Sequence, residues 1–324
     1  MGSNADCAIA IDLGGTRIKA GIVDRDARVV ARHTIPTEAE RGPDHVMQRI
    51  IAEARDLADE ARRRSLNPMG VAVGAPGALS QSRGVILAPP NLPGWNNVPV
   101  AALVRERCGL PTILENDANA AALGEFWTGA GRGVDNLVLL TLGTGIGGGV
   151  VLGGRILRGF FETAGEVGHT IVIPDGRPCG CGQKGCLEAY ASANSIVRIV
   201  SEQISAGTAT VCAETLTAEN GLTAEHVAEA AQAGDSVAMQ AWDQACRLLA
   251  VSCVNVQHVL NPQVIVLGGG MSAAGAQLLE PVRRHFSELT WPKINDRPDI
   301  RLAALADDAG VVGAAMLVFS GEAT

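Results

Sequence analysis

One pattern of strands and glycine corners occurs twice in this sequence of 324 residues. Each copy has three strand-like segments in a row, with a glycine-rich corner between the first two. The first copy has strands at 8–12, 17–23 and 28–34, and the second has strands at 137–141, 147–152 and 155–158. Because a repeated supersecondary unit builds similar halves, the sequence predicts an α/β protein of two lobes with a duplicated core of three strands and a helix.

The glycine corners are candidates for binding phosphate groups. The run from Gly143 to Gly148 fits the pattern Gly-x-Gly-x-x-Gly, but that pattern indicates a dinucleotide site only if a helix follows it. The residues that follow here predict a strand and a turn, which disfavours a nicotinamide site. Corners at matching places in two lobes instead predict backbone N–H groups that converge on one polyphosphate. A third corner, Gly268 to Gly270, follows the strand-like segment 263–267, and a plain strand-to-helix turn is its alternative.

The segment 166–188 offers one imidazole and three thiols, separated by glycines and a proline. These side chains are His169, Cys179, Cys181 and Cys186. Such a set closes a tetrahedral zinc site with no open position, so the metal is expected to be structural rather than hydrolytic. Ordinary thiols or a disulfide are the alternatives, but nothing marks the chain as secreted. Closing this zinc knuckle, 169–186, brings the carboxylates of Glu166 and Glu188 together, which suits a polyhydroxylated ligand.

Two other segments place polar side chains at chain reversals. The proline-bounded loop before Trp95 carries Asn91. Together, Asn91 can hydrogen-bond a hydroxyl group of a ligand and Trp95 can cover the ligand's apolar face. The alternative is a turn around a packed ring. The predicted strand 112–114 is followed by Asn116 and Asp117 and then by an alanine-rich helix. Either residue can cap that helix, or Asp117 can accept a proton from a substrate hydroxyl. We expect Asp117 to be ionised at neutral pH, near the ordinary aspartate pKa of about 3.9.

The composition limits the classes of partner. Hydrophobic residues make up 47% of the chain and charged residues 19%, which predicts a folded protein. The net charge of −8 argues against a nucleic-acid or anionic-membrane partner. No segment has the pattern of a signal peptide or a membrane helix, so we expect a cytoplasmic protein.

Taken together, these motifs resemble the ROK family (repressor, open reading frame, kinase), on the actin-like ATPase or ribonuclease H-like fold, and most closely its bacterial glucokinases. The motifs occur in the family's order and span nearly the whole chain. They are Ile11–Thr16, Asn91–Trp95, Glu115–Asn119, Leu142–Gly147, Glu166–His169, the knuckle through Glu188, and Leu267–Gly270. We expect a small lobe of residues 1–117 joined by 306–324, and a large lobe of residues 118–305.

The resemblance implies transfer of the γ-phosphate of ATP to the 6-hydroxyl of glucose, with Asp117 as the general base. The sugar would be held by Asn91, Asn116, Asp117, Glu166, His169 and Glu188. The nucleotide would be held by Asp12, Gly14, Gly15, Thr16, Gly143, Thr144, Gly145, Gly147, Gly268 and Gly269, with Asp12 near Mg²⁺ and the third corner beside the adenosine. The resemblance also implies structural Zn²⁺ and a homodimer.

Other functions remain open at this point. The motifs define capture of hydroxyl groups better than they define the substituent on carbon 2, so N-acetylmannosamine, N-acetylglucosamine and fructose are alternative substrates. Polyphosphate is an alternative donor. A sugar-sensing module without turnover is a different class of protein, and the general base with three glycine corners argues against it. A zinc hydrolase is disfavoured because the metal's coordination sphere is closed.

Overall fold

The structure is a computed structural model that describes residues 5–89, 92–217, 221–293 and 295–321. The strands in chain order are β1 (Ala5–Leu13), β2 (Arg17–Asp24), β3 (Val29–Pro36), β4 (Leu66–Ala75), β5 (Leu79–Ser80), β6 (Val85–Ile86), β7 (Thr112–Asn116), β8 (Leu137–Leu142), β9 (Ile146–Leu152), β10 (Arg155–Ile156), β11 (Val264–Gly268) and β12 (Asp299–Leu302). The helices are α1 (Pro43–Arg63), α2 (Val100–Cys108), α3 (Asp117–Trp127), α4 (Glu188–Ala191), α5 (Ala193–Ser205), α6 (Cys212–Leu216), α7 (Ala224–Gln232), α8 (Ser236–Leu260), α9 (Ala276–Leu289) and α10 (Ala309–Phe319).

Two five-stranded sheets share one topology. The first has the order β3-β2-β1-β4-β7 and the second the order β10-β9-β8-β11-β12. In each sheet the first three strands of the copy form an antiparallel meander, and two later strands add in parallel beside the first. The duplicated core predicted from the sequence is therefore confirmed, and the parallel strands end at the same edge of each sheet.

Helices α3 and α10 lie between the two sheets. Helix α10 packs on β1 and β4, α3 packs on β8 and β9, and the two helices contact each other. Their crossing depends on two glycines, because a Cβ at Gly124 would lie 2.4 Å from the Ala309 carbonyl oxygen and a Cβ at Gly313 would lie 1.6 Å from that of Ala120. This close contact joins the two sheets, and α3 begins at Asp117.

The remaining helices cover the outer faces of the sheets. Helix α1 is amphipathic and buries Val46, Ile50 and Leu57 against the first sheet. After α1, Pro68 lies inside β4, paired with Cys7 next to a bulge. Helix α8, the longest at 25 residues, packs against α9 beside the second sheet. None of the helices in the described ranges has both the length and the hydropathy of a membrane span.

Helix α9 was not predicted from the sequence. It contains Pro281, which removes one backbone N–H from the helix and disfavours a helix interior. Leu278, Val282 and Phe286 form its buried face, and these side chains belong to the same apolar cluster as the buried face of α8. Burial of this face in the tertiary structure outweighs the local cost of the proline.

Candidate functional site

The junction of β7 and α3 carries Asn116 and Asp117. Asn116 is the N-cap residue, and its Oδ1 accepts hydrogen bonds from the backbone N–H groups of Ala118 (2.9 Å) and Asn119 (3.1 Å). Both bonds use the amide oxygen, so capping does not engage the Nδ2 donors. Asp117 Oδ1 accepts from the N–H of Ala118 at 2.8 Å. Of the two sequence interpretations, capping therefore holds for Asn116, and the half-buried carboxylate of Asp117 is left beside a cavity.

This cavity, of about 210 Å³, lies where the strands of both sheets end near the starts of α3 and α10. Its lining includes Asp12, Lys19, Asp117, Thr141, Gly268, Gly269 and Asp307. Four of the residues predicted for the site, Asp12, Asp117, Gly268 and Gly269, are thus brought together. The corners with Gly14, Gly15 and Thr16 and with Gly143, Thr144 and Gly145 directly follow β1 and β8, whose residues Asp12 and Thr141 line the cavity.

Burial and neighbouring charges change the acidity of both aspartates in the cavity. Burial, followed by the negative charges of Asp12 and Glu166, raises the pKa of Asp117 to about 6, against the opposing hydrogen bond from Ala118. Burial also raises the pKa of Asp12, where Lys19 opposes the shift and Asp307 adds to it. The expectation of an ordinary pKa for Asp117 was therefore wrong, because the sequence reports neither how deeply this carboxylate is buried nor how close the other carboxylates lie. At pH 7 the group is still mostly ionised.

The glycines of the second corner let α3 approach β9. A Cβ at Gly147 would lie 3.1 Å from that of Ala118, and a Cβ at Gly149 would lie 2.5 Å from that of Ala122. On the other side of the strand, a Cβ at Gly148 would meet the Gly165 carbonyl oxygen at 2.3 Å. A strand follows this corner, as predicted, so the dinucleotide pattern is not realised as a helix start. The run of glycines therefore has a packing role that sets the position of the Asp117 end of α3.

The four metal-ligand candidates form one cluster. The donor atoms of His169, Cys179, Cys181 and Cys186 all lie within 4.8 Å of one another. The distances from Cys179 Sγ to His169 Nδ1 and from Cys181 Sγ to Cys186 Sγ are both 3.7 Å. Tetrahedral zinc with Zn–S bonds of about 2.3 Å places its sulphur ligands about 3.8 Å apart. The donor set therefore fits zinc, and the cysteines are not joined in disulfides.

Glu188 connects this cluster to the second glycine corner. Its Oε2 accepts a hydrogen bond from the N–H of Ile146 at 2.9 Å, and Cys179 Sγ lies 3.4 Å from its Oε1. Glu166 is exposed and precedes the short 3₁₀ turn that ends at His169. That turn packs closely on β9, because a Cβ at Gly168 would lie 2.0 Å from the Ile146 carbonyl oxygen. Glu188 and His169 are thus held to the same strand start.

Only one residue of the predicted pair in the proline-bounded loop lies within the described part of the chain. Asn91 lies outside the described residues. Trp95 is only 4% exposed and belongs to the core of the first sheet, together with Leu92 and Ile86. The alternative interpretation, a turn around a packed ring, is therefore correct for Trp95, and the apolar face of a ligand is not covered by it.

Glu115 is a residue of the site that the sequence analysis missed. It is 1% exposed, and its carboxylate accepts hydrogen bonds from Gln81 Nε2 (2.7 Å), Arg158 Nη2 (2.8 Å), Asn116 N (2.9 Å) and Asn119 Nδ2 (3.0 Å). The available signal was an acidic residue directly after the apolar residues Ile113 and Leu114 of strand β7. Glu115 thereby joins the β7–α3 junction to the β5–β6 hairpin and to the loop after β10.

A larger groove lies next to this network. It measures about 1020 Å³, runs beside β7, which is an edge strand of the first sheet, and includes Arg158 in its lining. None of the residues predicted for the site lines this groove. The smaller cavity, which holds Asp12 and Asp117, is therefore the candidate site.

Comparison with known proteins decides the family. A profile of the ROK family matches residues 8–320. The chain belongs to the ROK family. Among its ROK relatives, the glucokinase of Halalkalibacterium halodurans is 40% identical over 312 residues, which cover 96% of this chain and 94% of that protein. The N-acetylmannosamine kinase of Citrobacter koseri is 32% identical over 95% of this chain and 97% of its own length.

A solved ROK structure has the same fold. The ROK family glucokinase of Streptomyces griseus, in complex with glucose and AMPPNP, superposes with a TM-score of 0.83 at 34% identity. The superposition covers 97% of this chain and 100% of that chain. The actin-like ATPase fold expected from the motifs is therefore confirmed for this ROK chain.

Proposed function

We propose that this ROK protein is a glucokinase, which transfers the γ-phosphate of ATP to the 6-hydroxyl group of glucose. The observation that carries the proposal is the position of Asp117: a carboxylate with a pKa of about 6 lies in a cavity lined by the strand ends of both sheets. The relatives named glucokinase support the choice of sugar and donor. Asp117 acts as the general base and accepts the hydroxyl proton as the new phosphorus–oxygen bond forms and ADP leaves.

The sugar is proposed to lie between the β7–α3 junction and the knuckle. The Nδ2 group of Asn116, which capping does not engage, donates to one hydroxyl, and Glu166, His169 and Glu188 hold the others, with Asn91 as a further partner. The contacts of Glu188 and of the turn before His169 with the start of β9 keep these side chains in place. Such pre-positioning is the main source of rate in phosphoryl transfer, where the protein does little covalent chemistry.

The nucleotide is proposed to lie across the glycine corners. The corners with Gly14, Gly15 and Thr16 and with Gly143, Thr144, Gly145 and Gly147 hold the phosphates, and Gly268 and Gly269 border the adenosine. The N–H groups of Gly14 and Gly143 already donate to the carbonyl oxygens of Arg17 and Gly145, so the other N–H groups of each corner are the proposed phosphate donors. Asp12 fits a magnesium site because it is a half-buried carboxylate that lines the cavity. When bound, Mg²⁺ neutralises charge on the phosphates. The small lobe of 1–117 with 306–324 and the large lobe of 118–305 close over both substrates and exclude water.

Zinc is proposed as the structural metal of the knuckle. The spacing of the donor atoms of His169, Cys179, Cys181 and Cys186 supports this assignment. All four positions of a tetrahedral ion are then filled by protein, so the ion holds the loop and takes no part in the reaction. His169 has a second role at the rim of the sugar site.

A coupled assay of ADP release tests the function. The substrates are glucose, fructose, N-acetylglucosamine and N-acetylmannosamine, each with ATP and Mg²⁺, and polyphosphate replaces ATP in a parallel series. We expect the highest kcat/KM with glucose and ATP. A preference for N-acetylmannosamine would assign the activity of the 32% identical relative instead. Heat release on sugar binding with no ADP formed would contradict the enzyme and favour a sugar-sensing module.

A further inference from the structure

A short loop after β10 leads to Glu166, one of the proposed sugar contacts. We call residues 159–163 the phenylalanine loop, because it carries Phe160 and Phe161, which are 93% and 81% exposed. All five residues of this loop are described, and none of them is buried. Burial of apolar side chains therefore does not fix the loop, and its position must depend on polar contacts.

Glu162 attaches the phenylalanine loop to the hairpin of β5 and β6. Its Oε1 accepts a hydrogen bond from the backbone N–H of Ser82 at 3.0 Å. Partial burial opposes ionisation, but hydrogen bonds from Ser82, Ser80 and Gln81 outweigh it and hold the pKa of Glu162 below its ordinary value. The hairpin belongs to the core of the first sheet through the buried side chain of Ile86, whereas the loop follows β10 of the second sheet. The contact therefore links the two sheets.

Glu162 has a backbone conformation that is unfavourable for glutamate. Its φ of 60° lies in the left-handed region, which side chains other than glycine rarely adopt. Residues in such conformations persist only where surrounding contacts hold them. Glycine would suit this backbone better, but glycine has no carboxylate to accept the hydrogen bond from Ser82. The strained residue is thus retained together with its contact to the hairpin.

Both ends of this contact lead to the proposed sugar site. On one side, Glu166 follows the phenylalanine loop and lies close enough to Asp117 for its charge to raise the pKa of that base. On the other side, Gln81 Nε2 donates to the carboxylate of Glu115 at 2.7 Å, and Glu115 directly precedes the β7–α3 junction. A displacement of the loop from the hairpin would therefore move Glu166 relative to the base.

We propose that Glu162 is a positioning residue of the sugar site: its contact with the hairpin holds the phenylalanine loop in the place from which Glu166 reaches the hexose. This inference rests on the proposed function, since it explains how a sugar contact of that reaction is held. Glu162 does not line the cavity that contains Asp12. Loss of its contact should therefore weaken binding of the hexose and leave binding of the nucleotide unchanged.

The competing explanation is that Glu162 only stabilises the fold by satisfying a turn. Glu38 offers a matched control, because it is also a glutamate in the left-handed region, with a φ of 55°. Its carboxylate accepts a hydrogen bond from Arg41 Nη1 at 2.8 Å and lies 2.7 Å from His45 Nε2. Glu38 lines neither the large groove nor the candidate site. A purely structural role predicts the same effect for substitutions of both glutamates.

The experiment compares E162A, E162G and E162Q with E38A and E38G in the full chain. For E162A and E162G we expect the KM for glucose to rise about 10-fold, while kcat and the KM for ATP stay within about threefold of the wild type. E162G matters most, because glycine relieves the strained backbone and so removes the contact without a backbone penalty. E162Q should recover part of the loss, since its amide oxygen can still accept from Ser82. Both Glu38 variants should keep the wild-type KM values.

Hydrogen exchange gives a second readout that does not require turnover. Release of the contact with Glu162 should allow more frequent local opening of the hairpin. We therefore expect faster exchange of the backbone amides of 79–86 in E162A and E162G, and wild-type exchange of this segment in the Glu38 variants.

Three results would overturn the assignment. The first is a KM for glucose within about threefold of the wild type in both E162A and E162G. The second is an equal rise in the Glu38 variants, and the third is an equal rise in the KM for ATP, since either would show general destabilisation in place of positioning. Failure of the proposed function is distinguishable: the wild type would then form no hexose-dependent ADP, while hydrogen exchange would still show whether Glu162 holds the hairpin.

Discussion

At the scale of single residues, the proposed reaction depends on the acidity of Asp117. Its carboxylate accepts one backbone hydrogen bond, which favours the ionised form, but burial and the charges of Asp12 and Glu166 disfavour that form more strongly. The resulting pKa of about 6 suits a general base, because the group is ionised at pH 7 and yet more basic than an ordinary aspartate. Burial and the charges of Asp12 and Glu166 thus make Asp117 more basic than an exposed aspartate.

The first prediction concerns the pH dependence of the reaction. Because the ionised form of Asp117 is the active one, kcat/KM for glucose should be constant above pH 7 and fall about tenfold per pH unit below about pH 6. The measurement is kcat/KM between pH 5 and 8. Asp117→Asn should lower kcat by at least about 10²-fold. A variant that retains most of its kcat, or a rate that is flat down to pH 5, would remove Asp117 as the base.

The same pKa has a consequence for stability. Because the pKa of Asp117 is higher in the folded state than in the unfolded state, ionising this group lowers the free energy of unfolding. This loss is absent below the unfolded pKa of about 4 and complete above about pH 6. At pH 7, Asp117→Asn should therefore raise the free energy of unfolding by up to about 3 kcal/mol, and the gain should vanish near pH 4. Thermal unfolding across this pH range checks the sign, and a destabilised variant at pH 7 would contradict it.

At the scale of elements, the β7–α3 junction is held by a buried carboxylate. Glu115 joins this junction to Arg158, which follows β10, and to Gln81, which follows β5. Helix α3, which carries Asp117, is positioned at its other side by the glycines of β9. The precision of the site therefore depends on contacts between elements that are distant in the sequence.

Glu115→Gln tests that network. The neutral amide loses the charge-assisted bond to Arg158, so we expect the free energy of unfolding to fall by about 1–3 kcal/mol and kcat to fall by up to about 10²-fold through misplacement of Asp117. The control is Glu202→Gln, which removes a surface ion pair with Arg177 at 2.7 Å and should leave both quantities nearly unchanged. Equal effects of the two substitutions would show that Glu115 has no positioning role.

The knuckle is the second element whose contribution can be measured. Cys181→Ser removes one of four ligands, so we expect loss of zinc and an increase of about 10- to 100-fold in the KM for glucose, because His169 and Glu188 lose their support. Cys108→Ser, at a half-buried thiol 3.9 Å from the Ile51 carbonyl oxygen, is the control and should keep its metal. Metal analysis and steady-state kinetics give both readouts. Normal sugar affinity in a metal-free variant would count against the scaffold role.

At the scale of the whole molecule, the two sheets are joined through α3 and α10. The buried residues of this layer are mostly small or β-branched, and they include Ala120, Ala314 and Val311. Small side chains allow the helix axes to approach closely, so a movement of one sheet is transmitted to the end of α3 that carries Asp117. In the proposed mechanism, closure of the lobes is therefore coupled to the placement of Asp117.

Gly313→Ala tests this junction. The added Cβ would lie 1.6 Å from the Ala120 carbonyl oxygen, so the helices must separate. We expect the free energy of unfolding to fall by about 1–3 kcal/mol or more, and kcat to fall as well. Denaturant unfolding measures the first quantity and a kinetic assay the second. Gly270→Ala is the stability control, because a Cβ there meets no heavy atom of the described chain within 4 Å. Wild-type stability in Gly313→Ala would show that the contact between α3 and α10 accommodates an added methyl group.

The sequence by itself determined the duplicated sheets, the cluster of zinc-ligand candidates and the junction that carries Asp117. These features follow from local periodicity and from short spacings between motifs, which the chain order records directly. Only the tertiary structure decided the pKa of Asp117, the network of Glu115, the burial of Trp95 and the existence of α9. Each of these features depends on which atoms come together after folding. The local sequence does not report the distances between residues that are far apart in the chain.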